Sequence, residues 1–349
     1  MVMLNTIVSV DAWSRTVTLL TSRFTVLWFV CLLAGCHSAN EDKNSALPVA
    51  DIEGWPRTFS TIAGEVTLNQ PPLRIVSTSV TLTGSLLAIN APVIASGGTN
   101  ANTAVADQHG FFRQWSTVAQ ERGLKPLYQM EPNAEAIVSV NPDLIIIAAT
   151  GGDSALKLYD QLASVAPTMV VSYDDKSWQQ LARLFGEISG HEEDADELIR
   201  AYDQRVAHVR QAIQLPPQPS TALVYYEDGS GANVWTEESA QGRLLGDLGF
   251  TLADIPESVR GNESQGKRHD IVQLSGEKFA DGLNGASLLL FAADDTMISQ
   301  LKQNPFLSHV SAVRNDQLYA MGLDTFRLDY YSSSHMLNQI ETLFAASIR

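Results

Sequence analysis

The sequence predicts two α/β lobes joined by one long rigid helix, with a ligand held in the cleft between them. Three observations carry this. The stretch Glu192–Ile213 places Ala195, Leu198, Ile199, Tyr202, Val206, Val209 and Ile213 at spacings of three and four, so they line one face of a helix. At the usual rise per residue this helix is about 33 Å long, enough to span a domain. What stands on either side of it is alike, since each half opens with an apolar run, a loop and a helix, and later has a glutamate followed by a second apolar run. The chain of 349 residues is also long enough for two lobes of ordinary domain size.

The elements follow in order. Gly190 breaks the chain before the long helix; Glu192, Glu193 and Asp194 suit its positive start, and Pro216-Pro217 stop it. In the first half, Arg74–Ser77 reads as a buried strand, Thr78–Thr83 as a hydroxyl-rich turn and Gly84–Ile89 as a helix. Val93–Ala95 is a strand, and Gly97-Gly98 opens a long polar loop to Gln108, where an α/β lobe presents binding groups. Glu131–Val140 is a helix, Leu144–Ala149 a strand and Ser177–Ile188 a short helix before the long one. In the second half, Ala222–Tyr226 is a strand, Asp228–Asn233 a glycine-rich loop with Trp235 at its exit, and Gln241–Leu248 a helix. Leu288–Phe291 and Leu318–Ala320 are strands, and Ser334–Phe344 closes the chain as a helix. Glu135 precedes Leu144, and Glu277 precedes Leu288, each by way of a helix, which overlays the two halves.

Composition narrows the function. With 45% hydrophobic and 18% charged residues the body is that of a globular protein, and a net charge of −16 argues against nucleic acid, which rewards basic surface. The two cysteines, Cys31 and Cys36, both lie at the N-terminus, so no disulfide staples the body. Phe24–Leu33 is an apolar run behind Arg15 and Arg23, of the length of a signal-peptide core. It leads into Leu33-Ala34-Gly35-Cys36, which resembles the bacterial lipoprotein signal, with Cys36 as the lipidated residue. The expected boundaries are a signal peptide at 1–35, a polar tether at 36–54, a first lobe at 55–176, connecting helices at 177–214 and a second lobe at 215–349.

Enzymatic motifs are weak. Ser154-Ala155-Leu156-Lys157 matches Ser-x-x-Lys without its companion elements, and there is no Gly-x-Ser-x-Gly elbow, Walker loop or dinucleotide fingerprint. The seven histidines lack metal-pair spacing, so neither catalysis nor a protein-held metal or cofactor is expected. The candidates that remain are cationic and aromatic. Arg113 and Trp115 stand in Phe111-Phe112-Arg113-Gln114-Trp115, and Arg268 in Lys267-Arg268-His269. Arg327 and Tyr330 stand in Phe326-Arg327-Leu328-Asp329-Tyr330-Tyr331, where Arg327 either pairs with Asp329 or faces the cleft. A guanidinium offers two hydrogen bonds to paired oxygens and a plane that stacks on rings, which suits an anionic aromatic ligand.

Long words of the sequence carry a family resemblance. RIVSTSVTLTGSLLAINAPVIASG at Arg74–Gly97, PDLIIIAATGGDSALKLYDQL at Pro142–Leu162, YDDKSWQQL at Tyr173–Leu181, SQGKRHDIVQL at Ser264–Leu274 and TFRLDYYS at Thr325–Ser332 resemble the ferric-enterobactin periplasmic binding proteins. These belong to the iron-siderophore and cobalamin group of ABC-importer binding proteins, and the likeness runs from Trp55 to Phe344. The fold it implies is that of class III periplasmic binding proteins, two α/β lobes on one connecting helix. The function it implies is non-catalytic capture of a ferric catecholate siderophore and delivery to an inner-membrane ABC permease. The alternative within the same fold is cobalamin or haem.

On this resemblance Arg113, Arg268 and Arg327 neutralise the chelate, while Trp115, Trp235 and Tyr330 pack on its catechols. Iron is held by the siderophore alone. Glu135 and Glu277 match the glutamates that the group offers to permease arginines. The chain departs from the family in the loop Asn100–Asp107, which carries no base and has Ala104 where an arginine is usual. It departs also in its lipid signal, which is unusual for the Gram-negative members and implies a lipoprotein anchored to a membrane and facing the periplasm of a Gram-negative bacterium; a monomer is expected.

Overall fold

The computed structural model describes residues 53–260, 269–276 and 279–346. In the first lobe, β1 (Arg57–Thr61) and β2 (Gly64–Leu68) form an antiparallel hairpin. They are followed by β3 (Ile75–Ser77), α1 (Val80–Ala88), β4 (Val93–Gly98), α2 (Arg113–Glu121), β5 (Lys125–Gln129), α3 (Ala134–Ser139), β6 (Leu144–Ala148), α4 (Tyr159–Ala163) and β7 (Thr168–Val171). The last five strands make an all-parallel sheet in the order β5-β4-β3-β6-β7. Strand β6, Leu-Ile-Ile-Ile-Ala, is buried along its whole length. Such an unbroken apolar run is what a parallel strand covered on both faces requires.

Two helices lead out of this lobe. Helix α5 (Trp178–Ser189) starts on a reciprocal cap between Ser177 and Gln180 and ends at Gly190, whose φ of 78° a residue with a side chain rarely adopts. Helix α6 (Glu192–Ala212) follows, with three acids in its first turn and Ala195, Ile199, Tyr202, Val206 and Val209 on its buried face. It packs against α5 and reaches the second lobe.

The second lobe comprises β8 (Ser220–Tyr225), β9 (Gly231–Trp235), α7 (Ala240–Asp247), β10 (Ile271–Ser275), β11 (Ser287–Leu290), α8 (Asp295–Gln303), α9 (Ser311–Arg314), β12 (Leu318–Ala320) and α10 (Tyr330–Phe344). Its sheet has the order β10-β9-β8-β11-β12, with β8, β9 and β10 antiparallel and β8, β11 and β12 parallel. One core cluster runs from Ile75 and Leu144 in the first sheet through α6 and α10 to Ala222 and Leu289 in the second. Separate clusters cover the far face of each sheet.

Four local departures from the sequence reading have physical causes. The turn expected at Thr78–Thr83 is helix from Val80 onward, because Ser79 Oγ accepts the Leu82 N–H and supplies the cap. The glycine-rich stretch after Asp228 becomes strand β9 at Gly231, where a Cβ would stand 2.2 Å from the Leu274 carbonyl oxygen of the paired strand. Helix α10 begins at Tyr330 rather than Ser334, set by a capping box between Asp329 and Ser332. Finally, α6 is not alone in joining the lobes. Helix α10 follows β12 of the second sheet yet packs on α1, α2 and α6.

Candidate ligand-binding cleft

In both sheets the loops past the carboxyl ends of the strands converge on one cavity of about 580 Å³. In the first lobe Val80 and Thr81 follow β3, Gly98 and Thr99 end β4, Gly152 and Asp153 follow β6, and Tyr173 follows β7. The strand order reverses around β3, so the loops on either side of it part and leave a crevice. The second lobe contributes Trp235 at the end of β9, the start of α7 and the loop Leu323–Asp329 after β12.

That last loop is firmly held. Thr325 Oγ1 donates to the Gly322 carbonyl at 2.7 Å and accepts the Ala292 N–H at 3.0 Å. Ser332 Oγ donates to the carbonyl of Arg327 at 3.1 Å, and the Ser332 N–H donates to Asp329 at 2.8 Å. Asp329 is buried beside Gln114 of the first lobe, and that burial pushes its carboxyl up from the ordinary aspartate range. Nearer the rim, His335 Nδ1 lies 2.8 Å from Asp324 Oδ2, and this bond raises the histidine above its usual range.

The structure brings together part of the expected set. Arg327 lines the cavity, and its guanidinium carbon lies 4.8 Å from the centroid of the Tyr173 ring. Trp235 lines it too, edge-on to Phe326 at 5.8 Å, and its indole nitrogen has no hydrogen-bond partner among the described residues. Arg268 lies outside the described residues, while Asp270 and Ile271 just beyond it line the cavity.

Three expected contacts are corrected by the geometry. Trp115 is 1% exposed, packed on Phe111 at 5.3 Å in the core, because it shares the inner face of α2 with Ala119. Tyr330 packs on Trp178 at 5.5 Å and Tyr202 at 6.4 Å, since the early start of α10 turns it toward α5 and α6 and away from the cavity. Arg113 is exposed but does not line the cavity, and its Nε and Nη2 both donate to the Thr103 carbonyl. Glu135 is exposed in the first turn of α3. Glu277, Cys36 and residues 1–35 lie outside the described residues.

Tyr173, Phe326, Lys176 and Arg243 also line the cavity and were not among the expected contacts. The sequence held one signal for Tyr173, an aromatic residue between a strand and the polar run Asp174-Asp175-Lys176. The wall is not uniformly positive. Among the described lining residues seven carboxylates face three cations, although several acids are engaged within the protein. Asp153 accepts from Ser79 Oγ and the Thr81 N–H at the start of α1, and Asp175 pairs with Lys176 at 2.9 Å. An anionic ligand therefore depends on where Arg327, Arg243 and Lys176 stand, not on the sum of charges.

The periplasmic binding protein family matches residues 75–325. The chain belongs to that family. Over 300 residues this periplasmic binding protein is 55% identical to the ferric enterobactin-binding periplasmic protein FepB of Escherichia coli O6:H1, covering 86% of the chain and 94% of the relative. Among solved structures, holo-ViuP matches with a TM-score of 0.74 at 32% identity, over 84% of this chain and 96% of that one. Staphylococcus aureus SirA in complex with staphyloferrin B matches with a TM-score of 0.60 at 19% identity, over 82% of this chain and 97% of the other, which shows the shared fold alone.

Proposed function

We propose that the protein is the substrate-binding component of an ABC importer, capturing a ferric catecholate siderophore in the cleft and delivering it to an inner-membrane permease. The carrying observation is Arg327 at the wall of an interlobe cavity whose other walls hold Tyr173, Trp235 and Phe326. A ferric catecholate is an anion rimmed by aromatic rings. A planar cation among rings meets both properties. The high identity to a ferric enterobactin-binding relative supports the same reading. In this reading Arg268, which lies outside the described residues, also serves to neutralise the chelate.

In this reading Glu135 and Glu277 dock to permease arginines, and Cys36 carries a lipid that holds a monomer at the periplasmic side of a membrane. The protein performs no chemistry on its ligand, and the iron stays in the siderophore. Titration of the purified protein with ferric enterobactin, followed by tryptophan fluorescence, tests the binding. Saturable quenching below micromolar ligand is expected, and its absence at micromolar ligand overturns the reading.

A further inference from the structure

Arg327 does not enter the cleft unsupported. Its guanidinium lies against Tyr173, and the two residues come from opposite lobes, one following β7 and the other β12. Their exposures differ sharply: Tyr173 is 8% exposed, while Arg327 is exposed. The tyrosine is held in turn by the loop after β6. A Cβ on Gly151 would stand 2.1 Å from the phenol oxygen, and Gly151 has a φ of 94°, so glycine there makes the slot in which the phenol sits.

A guanidinium is a plate with two faces, and each can take an aromatic ring. We propose that Tyr173 is a specificity-determining residue whose ring backs one face of Arg327, so that an aryl ring of the ferric chelate closes the other. The proposal rests on the reading of the cleft as a ferric catecholate site. The ring does two things. It holds the cation across the cleft before ligand arrives, which lowers the ordering cost of binding. It also makes the site favour chelates that bring an aryl ring, because a hydroxamate or carboxylate chelate gains charge pairing with Arg327 but cannot complete the stack. Phe326, which is 42% exposed, and Trp235 stand on the second-lobe side of the same cavity and leave that ring an apolar wall to lie against.

The test compares binding of ferric enterobactin with binding of ferrichrome, a trihydroxamate, in native protein, Tyr173→Leu, Tyr173→Phe, Arg327→Leu and the double variant Tyr173→Leu/Arg327→Leu. Tyr173→Leu is expected to weaken ferric enterobactin about tenfold and to leave any ferrichrome binding unmoved. Tyr173→Phe should restore native affinity, and Tyr173→Leu should cost nothing further once Arg327 is leucine. A loss of equal size in both backgrounds, no loss at all, or failure of phenylalanine to rescue overturns the proposal. Should Tyr173→Leu not fold, Arg327→Lys decides, since lysine keeps the charge without the plate; an undiminished preference for the catecholate then overturns it. If the native protein binds no ferric catecholate, the functional reading falls and takes the proposal with it. If it binds and these variants change nothing, only the proposal falls.

Discussion

The side-chain nitrogen of Gln241 lies 2.8 Å from the carbonyl oxygen of Phe326 and 3.1 Å from that of Thr325. Gln241 is 3% exposed at the start of α7, so one buried amide ties that helix to the loop bearing Phe326 and Arg327. Gln241→Leu leaves these carbonyls without their donor. It should cost about 1–3 kcal/mol in chemical denaturation and weaken ferric catecholate binding through a looser Arg327. Native stability in that variant would show that the tie is idle.

Gly84 sits where α1, α2 and α10 meet. A Cβ there would stand 2.7 Å from Asp329 Oδ2 and 2.8 Å from Trp115 Cδ1. Alanine in a helix gains about 1 kcal/mol over glycine, while forced overpacking of a filled core costs about 1–3 kcal/mol. Neither neighbour has room to retreat, since Trp115 is 1% and Asp329 9% exposed. Gly84→Ala should therefore lower the denaturation midpoint, and an increase would mean that the helix junction gives way more easily than its packing implies.

His335 contributes a pH dependence of known sign. The bond to Asp324 raises its folded-state pKa, so the stabilisation is complete below about pH 6.5, the ordinary histidine value. It is lost as pH rises through the folded value. The difference in melting temperature between native protein and His335→Gln should thus be positive in mild acid and shrink toward alkaline pH. A difference that does not change across that window contradicts the pairing.

Asp329 should behave as a cap whose charge is unwelcome. Burial raises its folded-state pKa, so its contribution is full below about pH 4, the ordinary aspartate value, and declines as pH rises through the folded value. In Asp329→Asn the amide oxygen would still accept the Ser332 N–H without ionising, so the stability of this variant relative to native protein should increase from acid to neutral pH. Asp329→Ala loses the cap and should cost about 0.5–2 kcal/mol. Denaturant titrations at two pH values separate these outcomes.

The long helix was legible because Ala195, Ile199, Tyr202, Val206 and Val209 keep helical spacing over many turns, and β6 because its apolar run is unbroken. Strands β5, β7 and β10 were not. Lys125–Gln129 is polar or exposed for most of its length, Thr168–Val171 is too short to show a period, and the partner of β10 is a strand that begins in a glycine-rich turn. The site divided in the same way. Arg327 and Trp235 stand on a loop and a strand end and line the cavity. Trp115 and Tyr330 stand on helices, where the buried face is fixed by neighbours distant in sequence. For Trp115 a local clue existed in Ala119, one turn along on the same face. Tyr173 carries no periodicity at all, and only the opposite lobe reveals what its ring does.

The placement of α10 has a bearing on how the chain matures. Helix α10 packs on α6 and also on α1 and α2, which precede it by more than half of the polypeptide. Contacts between such distant segments form late, after the entropy of closing the intervening loop has been overcome. Before α10 is made, α1 already packs on α5, β3 and β4, and only the surfaces of α1 and α2 that α10 covers lack their partner. The contacts of the first lobe with α10 are therefore among the last that the folding chain can make.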